Sequence, residues 1–438
     1  MAWYAALWLL MGTLLALMAL GLPVAFAFFG VNILGAAVFL GGEAGLAQLT
    51  RNSLAALTNF SLAPIPLFIL MGEVLLHTGV AFRAIDAIDR LIARLPGRLS
   101  VVSVVGGTVF SSLSGSTIAN TAMLGSVLLP DMLRRGYHPS IAMGPIMAAG
   151  GIAMLIPPSA LAVMLGSLAG ISISRLLIAG IVPGLMMSVL FFGYVVARCA
   201  ASPELAPADE VPKTGAWERW RPFLTRVVPL LGIFVVVVGS IVAGWATPTE
   251  SAALGCTASV AAAAGYRALS WAGIRKALTE TAKVSVMILF IIVASVTFSQ
   301  ILAFSGAADG LIAAVNGIGA GRLAVLVGML ALLLFLGAFM DQVSMVMITI
   351  PFFMPLAAQL GIDALWLGVL MLITMEISFI TPPFGLLIYV MKGVAPPAIT
   401  LRQVYAAALP FIGLEMAVLA LLVAFPGLAT WLASVAVR

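Results

Sequence analysis

Charge is what this sequence has least of. Only 8% of its 438 residues are Asp, Glu, Lys or Arg, 63% are hydrophobic, and the mean hydropathy is +1.20. Soluble domains carry about 25% charged residues and roughly 45–50% apolar ones. So few charges cannot cover a soluble protein of this length, and the chain reads as a polytopic membrane protein. At about 20 residues per span it has room for on the order of ten to twelve membrane segments. Cysteine and histidine are almost missing: Cys199, Cys256, His77 and His138 are all there is. That excludes a disulfide framework, a thiolate metal cluster and His-based triads. The 21 basic residues exceed the 16 acidic ones by 5 and are scattered, which excludes nucleic-acid binding. No Lys or Arg precedes Arg51, so the start lacks the basic n-region of a cleaved signal peptide and reads as a retained span.

What is present is a set of apolar runs with a repeat in them. Pro23 and Pro248 are 225 residues apart, and the same offset relates Gly30 to Gly255, Pro130 to Pro355, Gly136 to Gly361, and Pro157-Pro158 to Pro382-Pro383. The chain therefore divides into a first repeat at 1–200, a polar connecting loop at 201–226 and a second repeat at 227–438. In each, one apolar region is interrupted by small or polar residues (about 98–136 and 321–361) and is followed by a Pro-Pro-broken run (about 139–169 and 363–394).

Charge then sets orientation, because cytoplasmic loops carry the Lys/Arg excess. The amphipathic stretch 81–98 holds Arg83, Arg90, Arg94 and Arg98, whereas its counterpart near 305–322 holds only Asp309 and Arg322. Arg134-Arg135 follow the first interrupted region; Gln359 and Asp363 follow the second. Corresponding loops thus face opposite sides, and the repeat is inverted. The expected fold is all-α and polytopic, with two inverted repeats, each of five crossings and one re-entrant hairpin. Both termini are expected in the periplasm and loop 201–226 in the cytoplasm. Such repeats with helices broken at mid-membrane belong to secondary transporters. An elevator division follows, with spans 3–42, 174–199, 227–266 and 403–437 expected as a lipid-facing scaffold.

The interruptions carry the chemistry. The first tip gathers Ser111, Ser112, Ser114, Ser116, Thr117, Asn120 and Thr121 around Gly115. Hydroxyls and freed carbonyls suit a hard cation, and a helix start suits a carboxylate. Ser112, Ser114, Gly115, Ser116 and Asn120, with the carbonyl of Ile156, form the candidate first Na⁺ site. The second tip places Asp341 where the first has Ser116, and acidic residues at membrane depth are functional candidates, here as a cation ligand or a support for the loop. Gly337, Met340, Asp341 and Thr381 form the candidate second Na⁺ site. Thr117, Pro157, Ser159, Gln342, Glu376 and Pro382 lie near the same breaks and are the candidate substrate contacts. No H-E-x-x-H or comparable constellation is present, so an intramembrane enzyme is not expected.

At Ser114-Gly115-Ser116, Ile156-Pro157-Pro158-Ser159, Ala246-Thr247-Pro248-Thr249-Glu250 and Thr381-Pro382-Pro383-Phe384-Gly385 the sequence resembles the large membrane subunit of tripartite ATP-independent periplasmic (TRAP) transporters, the M component. The likeness covers essentially the whole chain. It implies Na⁺-coupled import of an organic acid (a C4-dicarboxylate, sialic acid or a similar carboxylate) by an elevator mechanism at the bacterial inner membrane. It also implies a periplasmic substrate-binding protein and a small four-helix membrane subunit, expected as a separate chain. The alternative is a carboxylate or cation transporter of the same superfamily that works without a binding protein.

Overall fold

The computed structural model describes residues 1–92, 95–207, 215–383 and 385–436; Arg94, Phe384 and loop residues 208–214 lie outside the described residues. All regular structure among the described residues is helical. Helices α1 (Trp3–Ala19), α2 (Val24–Phe39), α3 (Glu43–Leu57) and α4 (Pro64–His77) lead to the amphipathic α5 (Val80–Leu91). A hairpin of α6 (Arg98–Ser114) and α7 (Thr117–Arg134) follows, then the broken pair α8 (Pro139–Gly151) and α9 (Ala160–Ala169), and the long α10 (Ile173–Ala201). Beyond α11 (Ala216–Pro222) come α12 (Val228–Val242), α13 (Pro248–Gly265), α14 (Trp271–Phe304) and α15 (Ala307–Gly317). The second hairpin is α16 (Arg322–Gly337) and α17 (Gln342–Gln359), and the second broken pair is α18 (Ala364–Ile380) and α19 (Leu386–Val394). The chain closes with α20 (Leu401–Ala424) and α21 (Gly427–Ala436).

Among the described residues six stretches are long and apolar enough to cross a membrane: 60–77, 173–201, 217–242, 271–304, 342–359 and 401–424. The count falls below ten because the Pro-Pro breaks cut two spans into half-helices, while α1 and α2 have only 17 and 16 residues. Helices α7 and α17 begin and end 225 residues apart, and α2/α13, α5/α15, α6/α16, α8/α18 and α9/α19 keep that offset within four residues at each end. The pattern departs where α3 and α4 correspond to the single 34-residue α14. The connecting stretch 201–226 is not all loop: α11 and a π-helical turn at Phe223–Val227 occupy its second half.

Packing sorts the helices into two groups. Helices α1 to α4 pack with α12 to α15, and α14 runs through this group against α2, α3 and α4. The hairpins and broken helices pack with one another and with α10 and α20. Helices α10 and α20, expected from 174–199 and 403–437 as lipid-facing scaffold, pack on the broken helices. Few polar residues suggested a lipid-facing role, but small residues decide the packing, since they let helix backbones approach closely. A Cβ on Gly144 of α8 would strike the Ala407 carbonyl of α20, and one on Gly180 of α10 would strike the Leu155 carbonyl at the first break.

Candidate functional site

The first tip is a sharp reversal between two helices. Gly115 ends α6 in the left-handed conformation (φ +60°), the usual glycine C-cap. A Cβ there would also lie 2.8 Å from the Pro158 carbonyl oxygen, so the tip rests on the first Pro-Pro break. Ser116 is extended and caps α7, its Oγ accepting from Ala119 N at 3.4 Å, while its own N–H donates to Ser114 Oγ at 3.4 Å. Ser112 Oγ donates to Val109 O within α6 (2.7 Å). Asn120 is fully buried; its Nδ2 donates to Ser111 Oγ and, at 3.3 Å, to Gly107 O, leaving Oδ1 with no partner. That oxygen is a buried acceptor left without a donor. Ile156 and Pro157 are buried at the first break, Thr117 is buried at the start of α7, and the buried Ser159 caps α9 through Ala162 N at 3.2 Å.

At the second tip Asp341 caps α17. Its Oδ1 accepts from Val343 N (2.9 Å) and Ser344 N (3.1 Å), and its Oδ2 from Ser344 Oγ. The support role therefore occupies both oxygens. Gly337, Met340 and Asp341 line a cavity of about 350 Å³ with Phe339 and Leu386. Thr381 stands away from that lining, its hydroxyl donating to Ile377 O at 2.6 Å. A Cβ on Gly337 would strike Ser378 Oγ, so this tip sits on the end of α18 just before Pro382, which is half-buried. Gln342 Nε2 reaches Met154 Sδ at 2.8 Å, joining the second hairpin to the break of the first half. Four half-helices, α7, α9, α17 and α19, thus begin at the two tips and two breaks.

Glu376 is different from the other candidate substrate contacts. It is 0% exposed and lies against Gly151, where a Cβ would collide with Oε1. Sequence reasoning passed over its buried neighbour Glu415 and named Thr121 at the first tip without a role, although its Oγ1 is buried and unpartnered; only a fold shows which single polar residues end up buried near one another. Glu73 Oε2 and His77 Nε2, four residues apart on α4, lie 3.0 Å from each other.

The profile of a known family, the DctM component of the tripartite ATP-independent periplasmic transporters, matches residues 11–428. The chain belongs to that family. It is 33% identical over 359 residues to the C4-dicarboxylate TRAP transporter large permease protein DctM of Pseudomonas aeruginosa, covering 81% of this chain and 82% of that one. It is 29% identical over 432 residues to the ectoine TRAP transporter large permease protein TeaC of Halomonas elongata, covering 98% and 99%. Among solved structures, the Alcanivorax borkumensis YdaH transporter shares the fold at TM-score 0.64 and 16% identity, over 89% of this chain and 90% of that one. This DctM-family chain is therefore a multi-pass transport permease and not an enzyme. The relatives named here differ in cargo.

Proposed function

We propose that this permease imports an organic acid, driven by Na⁺, as the large subunit of a three-part transporter in the bacterial inner membrane. The observation that carries the reading is the meeting of both hairpin tips with both Pro-Pro breaks: Gly115 on Pro158, Gly337 on Ser378, and Gln342 on Met154. Half-helices that begin there direct their positive ends and free N–H groups toward an anion, and the carbonyls and side-chain oxygens beside them suit Na⁺. Asn120 Oδ1 is the first ligand assigned to Na⁺, and Ser112, Ser114 and Ser116 with the Gly115 and Ile156 backbone are assigned as the rest of that site. Gly337 and Met340 offer backbone oxygens for a second ion, and Asp341 holds the loop that presents them.

The shared 225-residue offset supports two repeats, and charge supports their opposite orientation. Arg83, Arg90, Arg98, Arg219, Arg221 and Arg226 gather around one cavity of about 1060 Å³, and by the Lys/Arg rule this supports a cytoplasmic side for α5, α11 and the connecting loop and a periplasmic side for both termini. The core of hairpins, broken helices, α10 and α20 moves as one body past α1–α4 and α12–α14. Ions and anion together neutralise its polar tips for that passage. A periplasmic binding protein delivers the substrate, and a small four-helix subunit lies against the scaffold. The test is uptake into proteoliposomes containing this chain with both partners, across a panel of labelled organic acids and with Na⁺ replaced by choline. Uptake of one acid only with an inward Na⁺ gradient supports the reading; equal uptake in choline refutes Na⁺ coupling.

A further inference from the structure

Two glutamates lie inside the core: Glu376, which the sequence offered as a substrate contact, and Glu415, to which no role has been given. Glu376 of α18 and Glu415 of α20 are each 0% exposed, and all four of their carboxyl oxygens lack a hydrogen-bond partner. The two helices pack together, and Glu415 is the ionisable neighbour of Glu376. The ionisable side chains on the surrounding helices are engaged elsewhere or stand at helix ends. Arg322 of α16 stacks over Trp366, Lys392 of α19 donates to Ile399 O, and Tyr389 and Tyr405 both reach Pro383 O. Arg402 opens α20; on α10, Arg175 is in the first turn, Arg198 reaches Ser202, and Tyr194 packs on Phe411 near Cys199. Helices α8, α9, α17 and α21 contribute no Asp, Glu, Lys, Arg or Tyr.

Space has been cleared for these groups. A Cβ on Gly151 would strike Glu376 Oε1, so glycine leaves the carboxyl its place, and the preceding Gly150 gives the same room to the unpartnered Thr121 Oγ1. Two bare carboxylates sealed in apolar surroundings would cost far more than any packing there returns. A bound positive charge removes that cost, and the smallest is a proton. Among the described residues no third His, Cys, Asp or Glu joins them to build a metal site.

We propose that Glu376 and Glu415 form a proton-binding site inside the moving core, loaded while the core crosses the membrane. Each loading step moves one proton from hydronium in the adjoining water onto a carboxylate oxygen, breaking an O–H bond of hydronium and forming one in the carboxyl, with no change of oxidation state. Both carboxyls ride on the same packed group of helices, so the proton travels with the body. The link to transport rests on the elevator reading above, whereas protonation of the pair does not.

Infrared spectroscopy of the protein in lipid nanodiscs, in H₂O and D₂O, separates the two. The wild type should show a buried carboxylic-acid C=O band at neutral pH that shifts on deuteration, persists in saturating Na⁺, and is lost in Glu376→Gln/Glu415→Gln. Absence of the band in the wild type, or its loss on adding Na⁺ without a pH change, overturns the proposal; the second result would make this a cation site. In proteoliposomes the wild-type rate should fall on the alkaline side, approaching about tenfold per pH unit, while the double Gln variant, locked in the neutral form, should lose that dependence. An unchanged alkaline limb in the variant overturns the link to transport even with the band present. A wild type that shows the band but transports nothing fails the transport reading and leaves the proton site standing.

Discussion

Gly72 of α4 lies against the backbone of the first hairpin tip. A Cβ on it would lie 2.5 Å from the Ser114 carbonyl oxygen, 2.7 Å from Ser114 Cα and 2.9 Å from its carbonyl carbon. All three are backbone atoms of the tip, so no side chain can rotate aside. Ordinary contact begins at 3.4 Å, and Gly72→Ala therefore pushes the tip away by nearly an ångström. Overpacking of this kind costs about 1–3 kcal/mol. If α4 and the hairpin belong to bodies that slide past each other, that cost falls on the state in which they meet. An equilibrium between inward- and outward-facing forms then shifts by about 5- to 150-fold. The assay compares Na⁺-driven uptake and thermal unfolding in nanodiscs for Gly72→Ala and for Gly193→Ala, a helical glycine with nothing within 4 Å of its Cβ. Gly72→Ala should lower uptake at least fivefold while Gly193→Ala matches the wild type. Equal uptake and equal melting in all three would refute the close contact and the reasoning built on it.

Asn120→Ala removes the free Oδ1 together with the bonds to Ser111 and Gly107, and should raise the Na⁺ concentration for half-maximal uptake about tenfold or more; Asn120→Asp, which keeps an oxygen, should raise it less. A half-maximal concentration unmoved by Asn120→Ala would put the ion elsewhere. Asp341→Asn keeps a capping oxygen and should change melting little, whereas Asp341→Ala should cost about 0.5–2 kcal/mol; a loss of Na⁺ dependence in Asp341→Asn at unchanged stability would show a ligand rather than a cap. Trp366 Nε1 donates to Leu422 O at 2.9 Å in a buried setting, so Trp366→Phe should destabilise by about 1 kcal/mol, read as a lower melting temperature with unchanged Na⁺ affinity.

The breaks were legible in the sequence because their causes are local. Gly115 fits a left-handed C-cap, Ser116 and Asp341 are capping residues, and a Pro-Pro pair cannot continue a helix. The 225-residue offset transmits those signals to both halves, which is why α7 and α17 coincide with the interrupted regions. Helix α3 was not anticipated: its Gln48, Arg51 and Asn52 look like loop residues until Asn52 Nδ2 is seen to meet Thr297 Oγ1 (3.2 Å) and Gln300 Oε1 (2.6 Å) across 245 and 248 residues. The grouping of α10 and α20 was hidden for a related reason. Gly144, Gly180 and Gly184 take their meaning from the backbone or side chain opposite, and a glycine facing lipid has the same letter as one facing Ala407. Glu376 was visible as an acid at depth, but Gly151 and Glu415, which define its surroundings, are distant in sequence.

Movement of the tips from one side of the membrane to the other is the claim on which the rest depends. Ile118 beside the first tip is 44% exposed and Phe339 at the second is 59% exposed, so each can carry a reporter thiol in a background lacking Cys199 and Cys256. The deciding measurement is labelling of Ile118→Cys and of Phe339→Cys by a membrane-impermeant thiol reagent from each face of oriented vesicles, with Na⁺ and substrate present or absent. An elevator predicts that both positions switch sides together as ligands are added. Labelling of each position from one fixed side under every condition would contradict it.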